Sequence, residues 1–219
     1  MNDHSKHPTI VRAVATKPPV DTQNGIPQKD AWSLLWKHPF IYVFLTLAAE
    51  YAARLRFVTP LMNAIMYPLL WPLSGFDASY TGVPLNREIA SLSLFYVLIA
   101  WGATVTMSIM GQCMGNSEGY QNKEPRLNKI SLRGLPHRLT ALHANLLETF
   151  PVFVICAVFT YMMEPFNPHL IELLSIHVFA KILLYIPFYA ADLDLLRSSS
   201  HTLAIGACIR ILTIIALSK

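Results

Sequence analysis

LTALHANLLETFPVFVICAVFTYMM, residues Leu139 to Met163, decides the fold class. It is an apolar run long enough to cross a bilayer as a helix, which takes about 20 residues. Glu148 is its one residue among Asp, Glu, Lys and Arg. Three more runs share this character: Ile89 to Met110, which has no charge at all, His169 to Ala191, and Ser198 to Leu217. They predict an all-α protein, an integral membrane bundle of four helices. Composition agrees. Hydrophobic residues make up 53% of the chain and charged residues 14%, against about 25% charged in soluble domains. Mean hydropathy is +0.41.

The loops around that run set the orientation. Lys123, Arg126, Lys129, Arg133 and Arg138 cluster before it, whereas the turn after it, Pro165 to Pro168, carries no Lys or Arg. Basic loops stay on the cytosolic side, or its equivalent in an organelle. The formal charge of +4 therefore reports topology, and no nucleic-acid motif accompanies it. Four spans without an inverted repeat or a pair of broken helices argue against a transporter. The three cysteines, Cys113, Cys156 and Cys208, are scattered without metal-ligand spacing. They are read as small core hydrophobes, and no metal is expected.

The chain divides into three expected parts. Residues 1–30 are a polar tail with Pro8, Pro18, Pro19 and Pro27. No secretory signal is expected in it, and Arg12 and Lys17 as a transit signal are countered by Asp3 and Asp21. Residues 31–84 are an apolar helical extension broken by Pro60, Pro68 and Pro72. Trp32, Trp36, Tyr67 and Trp71 suit a headgroup zone, so interfacial helices are expected, with one kinked crossing as the alternative. Glu50 and Arg54 fall at i,i+4 and pair on one face. Residues 85–219 hold the four spans.

Alternating spans place a set of polar side chains at one membrane face. Arg138 opens the second span. Tyr185 and Tyr189 lie near the end of the third, and Arg197 and Ser198 open the fourth. On a helix Arg138, Asn145 and Glu148 share a face. Glu148 then lies about 15 Å below Arg138 at 1.5 Å per residue. An ionisable group at that depth is costly and marks a buried site or a partner surface. Asn145 and Glu148 read equally as an interhelical clamp or as part of a ligand pocket, and the two are compatible. Lys181 is expected to pair with a carboxylate such as Glu148, or else to touch a ligand charge. Arg197 and Ser198 at a helix start would cradle a carboxylate or thiolate, or contact a lipid phosphate. Pro151 predicts a kink. His143 is read as an interhelical residue, and His177 and His201 are lone histidines without a role. Glu172 and Arg210, toward the opposite face, are expected to pair with each other or to snorkel.

Two stretches carry a family resemblance. LRGLPHRLTALHANLLETFPVF (Leu132 to Phe153) resembles the second-helix signature of the MAPEG family, the membrane-associated proteins in eicosanoid and glutathione metabolism. The match is an Arg, a His-x-Asn, a Glu and a Pro. YIPFYAADLDLLRSSSHTLAIG (Tyr185 to Gly206) resembles that family's third-to-fourth-helix segment. The resemblance covers roughly residues 85–217. It implies a left-handed bundle, usually a homotrimer, with glutathione between subunits near the cytosolic face. By position it implies that Arg138, Asn145, Glu148, Lys181 and Tyr185 bind glutathione. It implies that Arg197, Ser198 and Tyr189 serve the chemistry. The sequence departs from the pattern twice. Ala141 stands where many active members carry a second arginine. Ile182 stands where a third-helix arginine is expected, with Lys181 one place out of register. The expected function is a glutathione-dependent transferase or peroxidase acting on a lipophilic electrophile from the bilayer. The alternative is a non-catalytic lipid-binding or structural subunit of a larger membrane complex, docked through residues 1–84.

Overall fold

Asn167 starts the helix at the centre of the bundle. Its side-chain oxygen accepts from the backbone N–H of His169 at 2.9 Å and of Leu170 at 3.4 Å, and Pro168 supplies the preset first helical position. The structure, a computed structural model, describes residues 28–75, 83, 87–117, 119, 120, 123, 127–129 and 131–218. The polar tail up to residue 27, most of the loop between Gly75 and Arg87, and Arg126 lie outside the described residues. The chain falls into two units, Met1–Lys37 and His38–Lys219. Of the first, residues 28–37 form the opening of a helix. The second holds the rest of that helix and all the others.

Six helices are described. They are α1 (Gln28–Leu55), α2 (Val58–Leu70), α3 (Glu88–Gly115), α4 (Gly134–Met163), α5 (Pro168–Ala190) and α6 (Asp194–Leu217). Among the described residues there are no strands. The last four helices are long and apolar enough to cross a membrane, so this is an integral multi-pass membrane protein. Each begins before its expected start, and α3 also runs on past its expected end, because helical hydrogen bonding continues into the polar flanks where hydropathy has already fallen. Pro151 sits inside α4, which continues through it.

Burial shows the arrangement. Of the most apolar window of α5, 72% is buried, against 33% in each of α3, α4 and α6. α5 is therefore the central staff, and the others turn a large apolar face outward. Trp101, Ile155, Phe159 and Met162 are among the exposed side chains, as expected where lipid rather than water is the solvent. Midway along the bundle Tyr96 stacks on Phe153 with centroids 5.1 Å apart, and Phe153 stacks on His177 at 5.3 Å. The Tyr96 hydroxyl lies 3.1 Å from Thr149 Oγ1, so its polar tip is satisfied inside the core. His143 bridges α4 to α3 through Thr104 Oγ1 and the Ala100 carbonyl, both at 3.1 Å, the interhelical place expected for it. Cys156 and Cys208 are buried core residues. Cys113 departs from that reading, being exposed on α3.

Gly111 shows how closely α3 and α4 cross. A Cβ built there would lie 2.6 Å from the Pro136 carbonyl oxygen. Small residues allow this approach, which drives helix association where lipid removes the hydrophobic drive.

Among its described residues the apolar extension holds two helices, α1 and α2, parted at Arg56, whose φ of 52° ends α1. The part of α1 from Tyr42 to Glu50 lies along α6. A Cβ at Gly206 would meet the backbone of Leu45 and Thr46 at 3.0 Å. Glu50 pairs with Arg54 at 3.1 Å, and it also meets Arg210 of α6 and His169 of α5, each at 2.9 Å. The expected Glu172–Arg210 pair does not form. Glu172 instead caps α2, accepting from the N–H groups of Val58 at 2.7 Å and Thr59 at 3.0 Å. Those N–H groups have no intrahelical partner, and a carboxylate suits the positive end of a helix.

Candidate functional site

The polar end of the bundle holds a cavity of about 350 Å³. α6 lines it with Arg197, Ser198, His201 and Thr202, which recur at i, i+1, i+4 and i+5 and so share one helical face. α5 contributes Tyr185 and Tyr189, one turn apart with ring centroids at 5.3 Å. Asn145 comes from α4 and Tyr42 from α1. Arg197 is held beside Asp194 at 2.9 Å, and its guanidinium lies 4.9 Å from the Tyr189 ring centroid. The pair faces solvent on the Asp194 side, which leaves Arg197 an anion-binding group aimed across the tyrosine.

Behind the cavity wall sits Lys181, with no exposed surface. It lies in a π-helical stretch, Phe179–Leu184. Such a wide turn inserts a residue and shifts the side-chain register, and it recurs at functional sites. Nζ contacts Asn145 Oδ1, His201 Nδ1 at 2.9 Å, and the face of the Tyr185 ring at 3.9 Å from its centroid. This polar knot ties α4, α5 and α6 together at the cavity floor.

Several sequence expectations are corrected here. Lys181 hydrogen-bonds Asn145, and Glu148, though near enough to act on Lys181 electrostatically, forms no ion pair with it. Glu148 is exposed, in the outward stripe of α4 with Ala144, Pro151 and Ile155, while Asn145, about 100° round the helix from Ala144, turns toward α5. Glu148 makes no hydrogen bond or ion pair among the described residues, so it is no interhelical clamp within one chain. Arg138 is at the same end of the bundle as Arg197, yet it does not line the cavity. It donates to Asp192 at 2.8 Å and to the Ala190 carbonyl at 3.3 Å, bracing the α5–α6 turn. That turn needs a left-handed residue, and Asp192 has φ 63°, a conformation Asp tolerates better than most. Finally, α6 begins at Asp194, so the Arg197 N–H is already bonded to the Leu193 carbonyl at 2.8 Å. Side chains, not unpaired amides, face the cavity.

Three lining residues carried no assignment from the sequence. His201 and Thr202 stand four residues after Arg197 and Ser198, and that spacing was legible. Tyr42 had no local signal, because only the packing of α1 on α6 brings it there.

Three apolar helices round a buried fourth, with a cationic, hydroxyl-rich cavity at one end, define a multi-pass helical membrane protein with a polar site at one end of its bundle. The chain belongs to the MAPEG family, whose family model matches residues 89–217. The match runs from the first turn of α3 to the end of α6 and takes in every cavity residue except Tyr42. No curated protein and no solved structure matches the sequence.

Proposed function

We propose that this MAPEG protein binds glutathione in the Arg197 cavity and directs its thiolate onto a lipophilic electrophile from the bilayer. The observation that carries this is the convergence of Arg197, Ser198, Tyr185, Tyr189 and Asn145 on one cavity of about 350 Å³. That volume falls within the ordinary range of small-ligand pockets. Arg197 is the cation that favours thiolate over thiol, and the thiolate is the nucleophile. The Ser198 or Tyr189 hydroxyl donates to the sulfur. The thiol proton leaves to water at the cavity mouth as the thiolate forms; the thiolate then makes the carbon–sulfur bond, and the displaced electron pair departs with a leaving group or, in an addition, takes up a proton from water. Arg138, beside the turn below the cavity, is the remaining cation for a glutathione carboxylate. Glu148 faces outward, where a second subunit of a homotrimer would meet it and the ligand amine could reach it. The helices α1 and α2 are an addition to the spanning domain.

Calorimetric titration of glutathione into detergent-solubilised protein tests the reading. Wild type should show saturable binding, and Arg197→Ala should lose it with little change in folding, since the ion pair of Arg197 is with a largely exposed Asp194 and its other contact is the face of Tyr189. Binding that survives the substitution would remove the mechanism.

One observation favours a second reading, a non-catalytic lipid-binding or structural subunit. Lys181 is fully engaged inside the fold, so it is not available to a glutathione carboxylate, and Ala141 offers no replacement. Absence of binding at millimolar glutathione, together with co-purification of a larger complex through residues 1–84, would establish that reading instead.

A further inference from the structure

His201 joins the cavity to the buried lysine. Its ring lines the cavity, and its Nδ1 lies 2.9 Å from Lys181 Nζ. An ammonium has three N–H donors and no acceptor. Lys181 has three partners around it: Asn145 Oδ1 and the Tyr185 ring face, which accept, and His201 Nδ1, which accepts when the ring proton is on Nε2. That set matches an ammonium. It requires a lone pair on His201 Nδ1, so a neutral imidazole must carry its proton on Nε2. Nε2 makes no hydrogen bond among the described residues. The same logic applies to Asn145. With Oδ1 committed to Lys181, its amide hydrogens remain for the cavity.

We infer that Lys181 locks His201 in the Nε2–H tautomer, so that His201 donates into the cavity as a further contact for the anionic group of the ligand. This deepens the glutathione reading and rests on it for the identity of the ligand. Arg197, the two tyrosines, Ser198 and Asn145 all present donors to the same space. His201 completes a lining selective for a thiolate or carboxylate. It is a binding residue whose polarity is set from behind by Lys181.

Nitrogen-15 spectra of histidine-labelled protein in detergent micelles, without ligand, test the lock directly. The His201 signals, identified by their loss in His201→Phe or His201→Gln, should show a protonated Nε2 and an unprotonated Nδ1. Lys181→Met should abolish that preference. A wild-type Nδ1–H tautomer, or a doubly protonated ring, would overturn the inference. Glutathione titration supplies the second readout. His201→Phe should bind about tenfold more weakly, with a smaller ultraviolet signal from bound thiolate, and His201→Gln, which restores a donor near the Nε2 position, should recover most of it. Unchanged affinity and thiolate signal in a folded His201→Phe protein would also overturn it. If wild type binds no glutathione, the proposed function falls, while the tautomer measurement still decides the lock.

Discussion

Glu50 of α1 and Arg210 of α6 meet at 2.9 Å, and that contact fastens the N-terminal helix to the spanning bundle. Glu50 lies outside the four spanning helices. Partial burial works against its charge, but the hydrogen bonds from Arg210, His169 and Arg54 outweigh that and hold its carboxyl down at about 2, from an ordinary 4.5. A lowered carboxylate pKa stabilises the fold above the unfolded value and loses that contribution as pH falls through the folded one. Melting temperature in detergent should thus hold its Glu50-dependent part above pH 4.5 and lose it between there and pH 2. Glu50→Gln should lower stability by about 1–3 kcal/mol at neutral pH and flatten that part of the acid profile. An unchanged profile would show that the latch contributes nothing.

Gly206 is the second fastening. Valine there would drive a side chain into the Leu45 and Thr46 backbone, which already lies 3.0 Å from a Cβ at this position. Gly206→Val should cost about 1–3 kcal/mol and expose α1 to limited proteolysis while α3–α6 stay intact. Resistance equal to wild type would contradict the close approach.

Tyr42 reaches the cavity from α1. Tyr42→Ala should weaken glutathione binding several-fold without lowering the melting temperature by more than a few degrees. An N-terminal helix irrelevant to the site would leave the affinity unchanged.

Arg138 and Asp192 form a partly exposed pair, with side-chain exposures of 24% and 57%. A double-mutant cycle should give a coupling of about 0.2–1 kcal/mol in stability. If Arg138 also holds a ligand carboxylate, Arg138→Ala should weaken glutathione binding about tenfold, well beyond its effect on folding. Equal losses in Asp192→Ala would assign Arg138 to the turn alone.

Phe153 separates core from site. It is fully buried between Tyr96 and His177, so Phe153→Ala should cost about 3–5 kcal/mol. The affinity of the fraction that remains folded should be unchanged, by titration corrected for active protein.

The four spans could be read from hydropathy because a bilayer demands about 20 apolar residues in a row whatever the packing. The placing of Arg197, Tyr185 and Tyr189 at one end followed from counting spans against basic loops. The partner of Lys181 could not be read that way. Asn145 and Glu148 are three residues apart on α4, and both lie within reach along the chain. Which one turns toward α5 depends on rotation of the helix about its axis, and a π turn in α5 shifts that register again. Tyr42 was invisible for a related reason, since its neighbours in the cavity lie more than a hundred residues away in sequence.

Chain chemistry alone was enough for the class of solvent, the number of helices able to cross and the family, since each of these depends on local composition and spacing. Packing alone decided that Glu172 caps α2, that Arg210 holds Glu50, and that His201 stands between Lys181 and the cavity. Charges in a low-dielectric bundle must find partners. Several partners were available to each, and the choice among them was made by which helix faces touch.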